Sequence, residues 1–199
     1  NSVDVGGSIA GAQIAILGNQ GSTQGGGTVN SVKGSGSIKG SQISIIGNRG
    51  STQRGGTVNS VENSGSIAGA SITLVGNQGS ATGAGTVNSV DNKGQLTGQV
   101  LIAANRGSAT LGGTVNSLVN RGLMTGSVVI AGNNGSAVAG GTSNSVINHG
   151  VITGMVAIVG TRTAAAAGMT SGSVRNIGGA IVGSAGVVGN MAYAANPGY

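Results

Sequence analysis

Carboxylates are few in this chain, and they recur at one place in a repeated pattern. The acids are Asp4, Glu62 and Asp91. General acid-base catalysis needs two titratable groups that converge on one substrate. Because the three acids hold the same position in different repeats, we expect them at different levels of one column. This spacing predicts no catalytic pair, and we expect a protein that is not an enzyme.

Metal and cofactor chemistry has equally little to use. The chain has one histidine, His149, and no cysteine. Other repeats place Ser64, Lys93 and Arg121 at the position of His149, which favours an exposed turn residue over a metal ligand. Calcium-binding coils of the Gly-Gly-x-Gly-x-Asp type need an Asp that these repeats lack. The three glycines at 25–27 are not followed by the Lys-Ser or Lys-Thr of a phosphate loop. The sequence predicts no metal and no cofactor.

Positive charge is the remaining signal for binding. Lys and Arg number 9 against 3 acids, which gives a net charge of +6. Arg49, Arg106 and Arg162 share one position of the repeat and would form a broken basic stripe. Such a stripe could bind polyanions, for example extracellular DNA or acidic polysaccharide, by counterion release. The alternative is that the charge only keeps the protein soluble.

These charged side chains are positioned by a tandem repeat. The phrase Thr-Val-Asn-Ser-Val occurs at 28–32, 57–61 and 86–90, and returns in altered form at 114–118, 142–146 and 170–174. Fixed periods of 20–50 residues are typical of solenoids and related arrays. Counting from the Asn of the phrase divides the chain into seven units of 28 or 29 residues: 1–29, 30–58, 59–87, 88–115, 116–143, 144–171 and 172–199.

Each unit reads as short strands joined by tight corners. The apolar residues are mostly Val, Ile and Ala in short runs, bounded by Gly, Asn and Ser, which is typical of strands. Glycine contributes 43 residues, proline 1 and aromatics 1%. One unit cannot bury its apolar face, but stacked units pair every strand with its copy above and below. We therefore predict an all-β fold, a β-solenoid or cross-β stack with two or three short strands per layer.

Stacking predicts columns of identical residue types. We expect two apolar core columns, one at Ile9, Ile38, Ile67, Leu96, Met124 and Ile152, the other at Ile14, Ile43, Ile72, Val100, Val128 and Val156. We expect two ladders of hydrogen-bonded amides, as in cross-β stacks. The first comprises Asn1, Asn30, Asn59, Asn88, Asn116 and Asn144, and the second comprises Asn19, Asn48, Asn77, Asn105, Asn133 and Asn190.

A change of repeat length falls between the two core columns. The step from Ile67 to Ile72 is five residues, whereas the step from Leu96 to Val100 is four. When Gly69 of the longer unit is aligned with Gly98 of the shorter unit, the missing residue falls just after Gly98. Glycine beside a length change predicts a corner or a β-bulge there.

The two ends of the stack are expected to be interfaces between subunits. Repeat domains that remain monomeric need capping repeats, and no cap is recognisable in this sequence. Head-to-tail addition would bring Arg175 of one copy beside Asp4 of the next and place Tyr199 at the junction. The last unit, with Gly172 and Pro197, leaves a second possibility open, because proline suits a segment that terminates growth.

Two groups of proteins resemble this sequence. Tandem units rich in Gly, Asn, Ser and Gln are similar to the subunits of bacterial functional amyloids of the curli and Fap types. The segments Val61–Ile67 and Val90–Gly98 resemble the Asn-x-Gly-x-Ile units of filamentous-haemagglutinin-like β-solenoid adhesins. The first resemblance implies a secreted protein that assembles into extracellular matrix fibres such as those of biofilms.

The sequence therefore leads to a structural protein that binds copies of itself head to tail, located outside the cell and without a membrane span. The alternative is a monomeric solenoid stalk or adhesin whose flat face binds a polysaccharide, a surface or ice. The ice-binding alternative rests on the threonines that recur at Thr28, Thr57, Thr86, Thr114, Thr142 and Thr170.

Overall fold

The structure of the protein is a computed structural model. It describes residues 1–11, 13–18, 20, 23–25, 27–40, 42–47, 52–54, 56–76, 78, 81–83, 85–104, 106, 109–132, 137–138, 141–160, 165–166 and 170–189. These residues form 22 β-strands and no helix. All strand pairs are parallel, and they form three sheets that run along the stack.

Sheet A contains one strand from each of seven successive levels, which we call rungs 1 to 7. Its strands are β1 (Ser2–Val5), β5 (Thr28–Gly34), β9 (Thr57–Asn63), β12 (Thr86–Asn92), β15 (Thr114–Asn120), β18 (Thr142–Asn148) and β21 (Thr170–Asn176). Each residue pairs with its counterpart in the next rung, as Val61 does with Val90.

Sheet B faces sheet A across the core. Rungs 1 and 2 each contribute two strands, namely β2 (Ser8–Ala10), β3 (Gln13–Leu17), β6 (Ser37–Lys39) and β7 (Gln42–Ile46). Later rungs contribute one long strand each, namely β10 (Ser66–Val75), β13 (Gln95–Ala103), β16 (Leu123–Ala131), β19 (Val151–Val159) and β22 (Ala180–Val188).

Sheet C is made of two-residue strands at the third side of the coil. They are β4 (Thr23–Gln24), β8 (Thr52–Gln53), β11 (Ala81–Thr82), β14 (Ala109–Thr110), β17 (Ala137–Val138) and β20 (Ala165–Ala166). They pair in sequence order from rung 1 to rung 6.

The core lies between sheets A and B and is built from alternate residues of both. In β13 the buried residues Leu96, Val100 and Ile102 point inward while Thr97 and Gln99 are exposed. The structure buries both apolar columns named above, except that Ile9 in rung 1 is only partly buried. Val32, Val61, Val90, Leu118 and Val146 of sheet A complete this core. The fold class predicted from the sequence, an all-β solenoid of short stacked strands, is confirmed.

The change of repeat length is a β-bulge at Gly69. Ala68 pairs with Thr97 and Ala70 pairs with Gly98, so Gly69 is the extra residue. Its φ of 66° lies in the left-handed region that favours glycine. The sequence comparison that equated Gly69 with Gly98 was therefore one position off, although a glycine bulge does lie at the length change.

Glycine is required for a different reason in the later rungs of sheet B. Gly98, Gly126, Gly154 and Gly183 stack on one another with φ between 136° and 142°. A Cβ atom on Gly126 would overlap the carbonyl oxygen of Gly98 in the rung before it. With this glycine column, each strand from β13 onward continues through the position at which rungs 1 and 2 are divided into two strands.

Candidate functional site

A column of side-chain amides runs through the interior along sheet A. Asn1, Asn30, Asn59, Asn88, Asn116 and Asn144 lie on successive rungs. Each Nδ2 donates to the Oδ1 of the next Asn, with N–O distances of 2.8 to 2.9 Å. From Asn30 to Asn144 these side chains are at most 1% exposed. Every amide from Asn30 to Asn116 therefore hydrogen-bonds to the amide of the rung on either side of it.

The same amides also connect sheet A to sheet B within a rung. The Nδ2 of Asn59 donates to the carbonyl oxygen of Val75 at 3.0 Å, and that of Asn88 donates to Ala103 at 3.2 Å. A buried amide with an unmade hydrogen bond is costly, so this double use of Nδ2 satisfies both of its protons. The column fixes the distance between the sheets as well as the register between rungs.

A second amide column runs parallel to the first, four residues further along each strand of sheet A. It comprises Asn63, Asn92, Asn120, Asn148 and Asn176, joined by N–O distances of 2.8 Å. Asn63, Asn92, Asn120 and Asn148 are at most 1% exposed. Sequence reasoning missed this column. The signal was present, because residues i, i+2 and i+4 of a strand share a face, and Asn59, Val61 and Asn63 have that spacing.

Each column falls short of one end of the stack: the first lacks an amide in rung 7, and the second lacks amides in rungs 1 and 2. Gly172 replaces Asn in rung 7 of the first column, where it pairs with Asn144. Gly34 and Val5 occupy rungs 2 and 1 of the second column. Asn63 is therefore the lowest amide of the second column, and its buried Oδ1 has no donor among the described residues.

The Asn column predicted after each apolar run cannot be placed. Asn19, Asn48, Asn77, Asn105, Asn133 and Asn190 all lie outside the described residues, as do Tyr199 and two arginines of the predicted basic stripe, Arg49 and Arg162. Arg106 is described and exposed.

Charged side chains form a column on the outer surface of sheet A. Asp4 pairs in register with Lys33, and the Nζ of Lys33 lies 3.8 Å from an Oε of Glu62. Glu62 pairs in register with Asp91, which places two acids on adjacent rungs.

Two basic side chains from the turns that follow β12 and β15 lie close to Asp91 and offset its negative charge. The guanidinium of Arg121 donates to Asp91 at 2.6 Å, and the Nζ of Lys93 lies 3.6 Å from the same carboxylate. Because Arg121 belongs to the turn of the next rung, this contact links rungs 4 and 5. Ion pairs this exposed contribute little stability, about 0 to 1 kcal/mol each. They favour one register of the stack over a slipped one.

The recurring threonines are not a surface array. Thr57, Thr86, Thr114 and Thr142 are at most 3% exposed, and Thr28 is 8% exposed. These threonine side chains point inward, on the same face of each strand as the asparagines of the first amide column. The exposed residues of the same strands are instead valine, serine and charged side chains, so a threonine ice-binding face is not formed by this column.

The described residues offer no cluster of metal-ligating side chains. Among the described residues, no three His, Cys, Asp or Glu side chains lie close enough to hold a metal ion. His149 is exposed, in the turn after β18. The described part of the chain also contains no helix long and apolar enough to cross a membrane.

Comparison with known proteins adds no relative. No protein-family model matches the chain, and neither curated proteins nor solved structures show a significant match. The fold and its columns are therefore the basis for a function.

Proposed function

We propose that this chain is a structural subunit that stacks end to end into extracellular fibres of the functional-amyloid type. One observation carries the proposal: sheet A pairs rung upon rung in unbroken parallel register from β1 to β21. Each rung is thus a template for the next. Among the described residues, the outer edges of β1 and β21 pair with no other strand, and such edges readily accept a strand from another chain.

The register of such a junction follows from the repeat. Continuing the stack from rung 7 of one copy to rung 1 of the next sets Val174 over Val3 and Arg175 beside Asp4. Val174 and Val3 both pack against the core and are only partly buried. Arg175 and Asp4 are both exposed. A positive and a negative side chain directly opposite each other on adjacent strands favour this pairing.

The junction lacks the amide ladders of the interior. In the same register, Gly172 would meet Asn1 and Asn176 would meet Val5. Neither pair makes the amide-to-amide bond that joins Asn88 to Asn116. Backbone pairing, apolar contact and one charge pair would hold the junction. Each junction is therefore weaker than the contact between two internal rungs, and fibres are expected to break between subunits.

Charge reversal at the two ends tests the proposal. The Asp4→Arg variant carries a base at both ends of the stack, and the Arg175→Asp variant carries an acid at both. Each variant alone should elongate more slowly than the unmodified chain because like charges meet at every junction. An equal mixture of the two should elongate at nearly the unmodified rate, because opposite charges then meet in alternating order. Light scattering and negative-stain electron microscopy at low ionic strength provide the readout.

Two controls accompany the mixture. The double variant Asp4→Arg with Arg175→Asp restores opposite charges and should elongate normally. Salt near 1 M shortens the screening length to about 3 Å and should remove the differences between the variants. Equal elongation of all variants at low salt would contradict this junction, and absence of fibres from the unmodified chain would contradict end-to-end stacking itself.

One observation favours a second function, that of a monomeric adhesin or stalk. The outer face of sheet A carries a column of serines, at Ser2, Ser31, Ser60, Ser89, Ser117, Ser145 and Ser173, paired rung to rung. Parallel strands lie about 4.8 Å apart, so the hydroxyls form a regular array suited to a polysaccharide or another ordered surface. Isolated rods that bind insoluble polysaccharide would support this function over the fibre.

A further inference from the structure

The outer face of sheet B changes character along the stack. In rungs 1 and 2 its outward positions are mixed, with Ser8, Gln13, Ser37, Lys39 and Gln42 beside the apolar residues Ala15, Leu17 and Ile46. From rung 5 onward larger apolar side chains such as Leu123, Val151 and Met155 take these positions, whereas rung 4 still holds Gln95 and Gln99 there. We call the outer surface of rungs 4 to 7 the apolar face, and its apolar side chains include Leu101, Leu123, Val129, Val151, Met155 and Val182.

The apolar face is open to solvent within the single chain. Met155 is 45% exposed, Leu123 42% and Val151 39%. Between these residues lie uncharged polar side chains, among them Gln99, Ser127 and Thr153. The strands β13, β16, β19 and β22 contain no charged residue at all. Contiguous exposed apolar patches on soluble proteins usually mark an interaction surface.

The same region is also the part of sheet B in which the strands run without interruption. Each pair among β13, β16, β19 and β22 keeps one register over nine residues. Rungs 1 and 2 are interrupted at Gly11 and Gly40, and rung 3 bulges at Gly69. The uninterrupted backbone begins at rung 4, and the large exposed apolar side chains begin one rung later, at Leu123. Stacked β-sheets pack face to face at about 10 Å.

We propose that the apolar face binds the same face of a second copy of this chain, side by side. A copy of itself fits because it offers an equally uninterrupted sheet without charge, so that pairing around a two-fold axis brings no like charges together. Nine residues at about 3.3 Å and four rungs at about 4.8 Å give a footprint of roughly 600 Å² per copy. Two such footprints bury roughly 1,200 Å², the lower limit of specific protein interfaces.

This contact is distinct from end-to-end stacking. In a fibre it would join two filaments laterally and be repeated once per subunit, so many weak contacts would add through avidity. In a protein that does not form fibres it would give a dimer. Mass and filament width report the lateral contact, whereas filament length reports the end-to-end junction.

Placing one charge at the centre of the apolar face tests the proposal. The Met155→Glu variant should weaken lateral association at least tenfold, because a carboxylate would have to be buried without a partner. The matched control is Val115→Glu, on the outer face of sheet A, where Val115 is 43% exposed. Both side chains point outward, so both variants should fold, and circular dichroism checks this. Sedimentation velocity over a concentration series gives the dissociation constant.

We expect the unmodified chain and the Val115→Glu variant to form dimers whose dissociation constants agree within about twofold. We expect the Met155→Glu variant to remain monomeric at the same concentrations. If fibres form, electron microscopy should show paired filaments for the first two proteins and single-width filaments of equal length for Met155→Glu. Dimers without fibres would leave the lateral contact standing while end-to-end stacking fails. Single-width filaments or monomers from the unmodified chain, or equal weakening by both variants, would overturn the lateral contact.

Discussion

Asn63 and Gly34 are paired in register on adjacent strands of sheet A, and this pairing leaves the Oδ1 of Asn63 buried without a donor among the described residues. Every other inward amide of that column from Asn92 to Asn148 receives a hydrogen bond from the rung before it. The second column therefore begins with an unpaired acceptor. A buried polar atom of this kind typically costs about 1 to 3 kcal/mol.

Supplying that missing donor should stabilise the protein. A Cβ atom at Gly34 would lie 3.6 Å from the Oδ1 of Asn63, which is ordinary van der Waals contact. The hydroxyl of the Gly34→Ser variant can thus donate to that oxygen. The control Gly34→Ala restricts the unfolded chain to a similar degree but brings no donor. We expect serine to exceed alanine by about 1 kcal/mol in the free energy of unfolding measured with urea. Equal stabilities would show that the acceptor is already satisfied.

Removing an amide from the middle of the first column should be strongly destabilising. The Asn88→Ala variant would leave the Oδ1 of Asn116 without its donor and the Nδ2 of Asn59 without its acceptor on the next rung. We expect a loss of roughly 2 to 4 kcal/mol. The neighbouring Ser89 points outward, so Ser89→Ala should lie within about 0.5 kcal/mol of the unmodified chain. Urea titration of both variants makes the comparison, and similar losses would argue against the ladder.

The glycine column of sheet B should not tolerate even one methyl group. The Gly126→Ala variant would place Cβ onto the carbonyl oxygen of Gly98 at a φ of 136°. We expect a loss of about 3 kcal/mol or more, because the backbone of Gly98 or of Gly126 would have to move. Gly186→Ala is the matched control, since nothing lies within 4 Å of a Cβ built there. Thermal melting followed by circular dichroism should separate the two variants, and coinciding melting curves would contradict the close stacking.

The ion pair of Arg121 with Asp91 should have a small effect that depends on salt. Both side chains are partly exposed, so Arg121→Ala should cost under about 1 kcal/mol at low ionic strength. In the Asp91→Asn background the same substitution should cost nearly nothing, because its partner has lost its charge. A double-mutant cycle from urea unfolding isolates the pair. A coupling energy that persists at 1 M salt would show that the contact is not an exposed ion pair.

The fold was predictable because the repeat constrains every level in the same way. A period of 28 or 29 residues with short β-branched runs leaves stacking as the solution that pairs all strands. The bulge was located less accurately. Comparing residue types matched Gly69 to Gly98, yet the two glycines have different backbone conformations, with φ of 66° and 142°. Residue identity alone does not distinguish a glycine in a β-bulge from a glycine that packs against the backbone of the adjacent rung.

The candidate site was only partly predictable. The inward parity of Asn59 also applies to Asn63 and Thr57, so strand alternation alone would have identified the second amide column and the burial of the threonines. The pairing of Arg121 with Asp91 required the geometry of the turns, because the two residues are 30 positions apart and lie on different rungs. The apolar outer face of sheet B needed the strand boundaries, since its residues alternate with core residues of the same types.

The claim that rungs continue from one copy into the next is tested most directly by imaging the unmodified protein at rising concentration. Negative-stain electron microscopy, followed by fibre diffraction of aligned material, makes the measurement. End-to-end stacking predicts long unbranched filaments that lengthen with concentration and a meridional reflection near about 4.8 Å. Isolated rods of constant length at every concentration would contradict it.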